Sequence, residues 1–134
     1  MMNEKMQQEV REVREAGLNA LDSLEKARKA LDSARGWGVF DMLGGGMIST
    51  LVKHSKLESA REYLDQAEYD LQVFRRELAD IRLPDVQIGG MLAFADFFFD
   101  GFLADLLVQR RINEARRRID EARRRVEDIL RRLP

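Results

Sequence analysis

Three long tracts of apolar residues recur in alternating steps of three and four, and this spacing constrains the fold most. The tracts are Val10, Val13, Gly17, Ala20, Leu24, Ala27, Leu31 and Ala34; Leu57, Ala60, Leu64, Ala67, Leu71, Phe74, Leu78 and Ile81; and Ile112, Ala115, Ile119, Ala122, Val126, Ile129 and Leu133. This is the pattern of helices that pack along one seam. We therefore predict an all-α fold, an antiparallel bundle of three long helices with coiled-coil packing and short apolar lead-in segments at the ends.

Large and small residues alternate within each tract, as in the run from Leu24 through Ala27 and Leu31 to Ala34. Alanine at every second layer removes bulk between neighbouring helices, so their backbones can approach toward the short end of the usual ~8–10 Å. We predict that a large residue of one helix packs over an alanine of its neighbour.

Glycine and proline set the expected ends of the helices, at about residues 3–35, 47–82 and 101–133 of one domain spanning 1–134. Gly36 and Gly38 flank Trp37 after the first tract, and Pro84 follows the second. The residue before a proline is disfavoured in a helix. Similar helix lengths and short connections favour an up-down-up arrangement.

Positions 55 residues apart carry similar residues, both inside and outside the tracts. Examples are Asp41 with Asp96, Gly46 with Gly101, and Ala60 with Ala115. Either an internal duplication or the alignment of two similar heptad patterns accounts for this repeat. If the last two helices are antiparallel, their lead-ins, Trp37–Gly46 and Met91–Gly101, lie at opposite ends of the bundle.

The overall composition excludes several classes of function. The net charge is −1, which provides no general attraction to nucleic acid, and the absence of cysteine excludes disulfides and thiolate metal sites. A polar, charged N-terminus is unlike a signal peptide, so we expect a cytoplasmic protein. The apolar segment Val86–Val108 carries three aspartates, which disfavour a membrane span.

Two motifs have alternative chemical and structural interpretations. The glycines Gly44–Gly46 could bind an anion at a helix start, but without a GxxxxGK[ST] pattern a tight turn is favoured. The only histidine, His54, could join Asp96 and Asp100 in a metal site, but helix or turn capping by Asp96 and a position of His54 on a helix flank are favoured. We predict no catalytic residues, metal or cofactor.

The third tract is rich in arginine, with ten Arg and five acids from Arg110 to Pro134. A basic helix can bind RNA or acidic lipid. Interleaved acids instead favour a solvated face with ion pairs three or four residues apart. We therefore predict no nucleic-acid partner.

The run GWGVFDMLGGGMIS from Gly36, the triplet Lys53-His54-Ser55 and the run FADFFFDG from Phe94 resemble small helical, coiled-coil proteins of bacteria. The resemblance covers residues 34–109. It implies a shared helical fold and a bacterial-type cytoplasmic protein, and it implies no activity, substrate or catalytic residue.

Aromatic and apolar residues concentrate in the lead-ins, beyond what the ends of a thin bundle can bury. The candidate interface consists of Trp37, Phe40, Met42, Leu43, Phe94, Phe97, Phe98, Phe99 and Phe102. We predict a non-enzymatic interaction module, a self-associating scaffold that forms a homodimer or higher homo-oligomer. The alternative is a peripheral membrane or lipid-binding protein that uses the aromatic patch at 91–107.

Overall fold

The computed structural model describes residues 4–42, 47–81 and 111–134, and it describes side chains within 4–33, 59–81 and 111–134. These residues form three helices, α1 (Glu4–Met42), α2 (Met47–Asp80) and α3 (Ile112–Arg132). α1 packs against both α2 and α3, and the described residues include no strand. The predicted all-α helical bundle is confirmed.

The first helix is longer than predicted. α1 has 39 residues and continues through Gly36 and Gly38 to Met42, so the predicted end at residue 35 is wrong. A glycine inside a helix costs about 1 kcal/mol relative to alanine, and no proline interrupts this segment. Glycine therefore weakens the end of α1 without terminating it.

The third helix begins later than predicted. Arg111 has φ −91° and ψ 59°, which are not helical angles, and its carbonyl accepts a hydrogen bond of 3.1 Å from the Ala115 N–H. The prediction of a continuous helix from residue 101 to 133 is therefore wrong at Arg111. Residues 101–110 lie outside the described residues. Glu114 in the first turn and Arg131 and Arg132 in the last turn suit the helix dipole.

The predicted seams form the core of the bundle. Every tract residue whose side chain is described is buried except Ile112, which is partly buried and packs against the core, and Gly17, which has no side chain. The most enclosed large side chains include Phe74, Leu24, Leu64 and Ile119. Each buried leucine or isoleucine contributes about 1.5–3 kcal/mol by leaving water, so these seams dominate the stability of the fold.

α1 and α2 run antiparallel with large residues over small ones. A Cβ atom placed on Gly17 of α1 would stand 3.0 Å from Cε1 of Phe74 in α2, which fixes the register. Heptad steps from this contact pair Ala20 with Leu71, Leu24 with Ala67, Ala27 with Leu64, and Leu31 with Ala60. The predicted alternation of bulk therefore matches the register of this helix pair.

α3 also runs antiparallel to α1, so α2 and α3 are parallel to each other. Gly17 faces Leu130, and Asp32, further along α1, lies beside Arg116, near the start of α3. The predicted up-down-up arrangement with short connections is wrong. Residue 81 lies toward the N-terminal end of α1, whereas residue 111 lies toward its C-terminal end. A longer connection between neighbouring helices permits parallel packing.

The parallel arrangement brings residues about 55 positions apart to similar levels along α1. Ala60 and Ala115 thus both lie near the level of Leu31. Leu64 and Ile119 likewise share the layer of Ala27. α2 and α3 thus occupy equivalent places on α1, and their starts lie toward the same end rather than at opposite ends.

Candidate functional site

The interface residues predicted from sequence lie outside the described side chains. Trp37, Phe40 and Met42 belong to the backbone of α1, and His54 belongs to α2, but their side chains are not among those described. The remaining candidates lie outside the described residues altogether: Leu43, Phe94, Asp96, Phe97, Phe98, Phe99, Asp100 and Phe102. These sites therefore stay predictions.

A polar contact crosses the flank between α1 and α2. The buried hydroxyl of Ser23 donates a hydrogen bond to Oδ2 of Asp70, whose Oδ1 accepts a bond of 3.1 Å from Gln66 Nε2. On the exposed side, Lys26 Nζ lies 3.0 Å from Asp22 Oδ2. The hydrogen bond from Lys26 to Asp22 raises the pKa of Lys26, and the charges of Asp22, Tyr63 and Asp70 act in the same direction. The contact satisfies polar groups beside the core.

A four-residue charge cluster joins α1 to α3. Arg28 pairs with Asp120, and Arg116 Nε lies 2.6 Å from Asp32 Oδ1. Arg28 Nε also lies 3.5 Å from Asp32, so the two pairs are linked. The hydrogen bond to Asp120 raises the pKa of Arg28.

The contact between Arg116 and Asp32 is an ion pair. The two atoms are close, yet the buried Nε–H of Arg116 has no hydrogen-bond partner among the described residues. We attribute its contribution to charge attraction, which acts without directional bonding. The cluster as a whole holds α3 in its antiparallel register.

Glu68 is the most perturbed carboxyl group among the described residues. Burial raises its pKa to about 7, and the neighbouring charge of Asp65 adds to the shift. Asp70 marks the flank of α2 that contacts α1, and Glu68 lies on the opposite flank of the seam. Desolvation disfavours the charged form of a carboxyl group, so Glu68 is a proton-binding group near neutral pH.

Parts of the outer faces of α2 and α3 carry opposite charge at similar levels. The exposed charged residues of Glu62–Asp70 are the acids Glu62 and Asp65, whereas those of Arg117–Arg125 are three arginines, Arg117, Arg124 and Arg125. Within the described part of the chain, neither Glu62 nor Asp65 takes part in an ion pair. Arg118 Nη1 and Arg125 Nη2 each lie 3.5 Å from Glu121, which leaves the neighbouring Arg117 and Arg124 exposed.

A shallow groove runs along the outer face of α3, with a volume of about 400 Å³. It is lined by Glu121, Arg124, Arg125, Asp128 and Arg131. Ion pairs of 3.5 Å or less join Asp128 to Arg131 and Arg132. The groove is thus a charged surface, suited to a charged partner and not to an apolar ligand.

Neither a metal-binding group nor a membrane span occurs in residues 4–42, 47–81 and 111–134. No three potential ligands among His, Cys, Asp and Glu come together there. No helix there is both long and apolar enough to cross a bilayer.

Sequence patterns alone do not single out Ser23 or Glu68. Both flank the seam, next to Leu24 and Ala67 respectively, where either polar or apolar residues are common. A polar side chain immediately beside a seam leucine is the only available signal for Ser23. For Glu68 the signal is Asp65, one turn earlier on the same helix.

Comparisons with known protein families, curated proteins and solved structures find no match for this chain.

Proposed function

We propose that this protein is a non-enzymatic structural and interaction module, a scaffold that self-associates. One observation carries the proposal: the exposed charges within Glu62–Asp70 of α2 are acidic and those within Arg117–Arg125 of α3 are basic, and the ion pairs of the described residues leave Glu62, Asp65, Arg117 and Arg124 without partners. Uncompensated charge of both signs on neighbouring surfaces favours association with a complementary surface.

The elongated shape supports the same proposal. α1 has 39 residues, which correspond to about 58 Å at 1.5 Å per residue. Such a bundle presents long outer faces in proportion to its core. Large exposed side chains also lie on the surface of the bundle, namely Leu18 on α1 and Tyr63 and Tyr69 on α2. Tyrosine and arginine are enriched in protein interfaces.

Coiled-coil packing is part of the proposal. The burial of a and d positions and the large-over-small register of α1 and α2 support it. We further propose a cytoplasmic location, and we retain the lead-in residues Trp37, Phe40 and Phe97–Phe99 as a second candidate interface.

The oligomeric state in solution tests the proposed function. Size-exclusion chromatography coupled to light scattering should give at least twice the chain mass, with the mass falling on dilution. A monomer mass at every concentration would refute self-association. If that monomer then floats with vesicles of anionic lipid, the peripheral membrane function takes its place.

A further inference from the structure

We propose that two copies of this chain pair through α2 and α3, with the acidic outer face of α2 in one copy against the basic outer face of α3 in the other. This inference rests on the proposed function, because it names the surface through which the scaffold self-associates. Its partner is a second copy of the same chain.

The acidic surface is centred on Glu62 and Asp65. Both side chains are exposed, and neither forms an ion pair with any described residue. Asp65 lies one turn before Glu68, and burial together with the charge of Asp65 raises the pKa of Glu68 to about 7. Tyr69 is 57% exposed on the same outer face and offers an aromatic ring to an arriving guanidinium. A cationic partner would therefore stabilise this surface.

The basic surface is centred on Arg117 and Arg124. These residues are one heptad apart, about 10 Å along α3, and both are exposed. Neither has an ion pair within the described part of the chain, because Glu121 lies beside Arg118 and Arg125. The guanidinium groups of Arg117 and Arg124 can each bind a carboxylate of a facing helix.

The parallel packing of α2 and α3 allows both contacts to form at once. Glu62–Asp70 and Arg117–Arg125 lie at similar levels along α1. A two-fold axis through that level places α2 of each copy antiparallel to α3 of the other. A two-fold interface must be self-complementary, and here the contact between an acidic and a basic surface forms twice, once for each copy's α2.

Charge reversal tests the inference on the full chain. Arg117→Glu with Arg124→Glu makes both surfaces acidic, whereas Glu62→Arg with Asp65→Arg makes both surfaces basic. We expect each double variant to be monomeric in light scattering under conditions where the wild-type chain is dimeric. An equimolar mixture of the two variants should recover the dimer mass, because each acidic surface then faces a basic one.

Two controls separate loss of this interface from unfolding and from a general effect of altered charge. Arg11→Glu reverses another exposed arginine that has no ion pair in the described residues, and it should leave the dimer intact. Circular dichroism should show that every variant keeps its helical content. The wild-type dimer should weaken at 1 M salt, where the Debye length falls to about 3 Å.

The outcomes distinguish this inference from the proposed function. A wild-type dimer that survives both double reversals refutes the α2–α3 interface and leaves self-association through another surface. Folded monomeric variants that fail to recover a dimer on mixing also refute it, because complementary charge is then not what joins the copies. A wild-type chain that is monomeric throughout refutes self-association itself.

Discussion

Leu130 of α3 packs directly over Gly17 of α1, so that a Cβ atom at position 17 would stand 2.8 Å from Cδ2 of Leu130. Phe74 of α2 closes the same space from the other side, with Cε1 at 3.0 Å. All three helices therefore meet at a residue without a side chain. Glycine is unfavourable in a helix, and the close approach of two large side chains explains its presence here.

Gly17→Ala should lower the stability in spite of the better helix propensity of alanine. Overpacking a full core costs about 1–3 kcal/mol, and because fully buried Phe74 closes on this position together with Leu130, we expect the cost to outweigh the gain of about 1 kcal/mol from replacing glycine in a helix. In a Leu130→Ala background the loss should shrink, because the closest atom is removed. Urea unfolding of the single and double variants measures this coupling. Additive effects, or a stable Gly17→Ala variant, would contradict the packing described.

The alanine layers should resist enlargement. Ala60 and Ala115 are fully buried at the level of Leu31, so Ala60→Leu or Ala115→Leu should destabilise the fold by about 1–3 kcal/mol. Ala79→Leu provides the matched control because Ala79 is exposed on α2. Denaturant midpoints decide the matter, and unchanged midpoints for both buried variants would argue against close helix packing there.

Glu68 should make the stability depend on pH near neutrality. Its pKa of about 7 in the folded chain lies above the ordinary value of 4.5, so folding favours the protonated form. The stability that this group contributes is fully present below pH 4.5 and is lost as the pH rises through 7.

Glu68→Gln should therefore be more stable than the wild type above pH 7, by about 1–2 kcal/mol after allowance for partial exposure. The difference should vanish below about pH 4.5. Urea titrations from pH 4 to about 8.5 measure it, with exposed Glu15→Gln as the control. If the difference in stability between Glu68→Gln and the wild type is constant across this range, Glu68 is not the group that titrates.

The cluster between α1 and α3 should show measurable but modest coupling. Asp32 and Arg116 are 48% and 20% exposed, so a double-mutant cycle with Asp32→Asn and Arg116→Gln should give about 1 kcal/mol. The pair Glu25 and Lys29, at 56% and 75% exposure within α1, should give about 0.3–0.5 kcal/mol. Coupling that is equal in the two pairs, or absent from the first, would show that the cluster does not hold α3 in place.

The core could be predicted from the sequence, because the three-and-four spacing fixes which face of each helix leaves water. Leu24, Ala67 and Ile119 are buried as expected. The direction of α3 could not be predicted, since a heptad pattern is the same whichever way the helix runs. The raised pKa of Glu68 depends on its burial in the fold, which cannot be read from the local sequence. The aromatic candidates around Trp37 and Phe97–Phe99 stay predictions.

The antiparallel contact of α3 with α1 has a consequence for the order of folding. α1 and α2 are nearly consecutive and can pair as soon as residue 80 has been made, whereas the ion pair between Asp32 and Arg116 bridges most of the chain. Closing so long a loop is slow, because its entropy is lost before the contact forms. During synthesis the hairpin of α1 and α2 therefore exposes one side of its seam until α3 docks, and such exposed apolar surface is prone to aggregation.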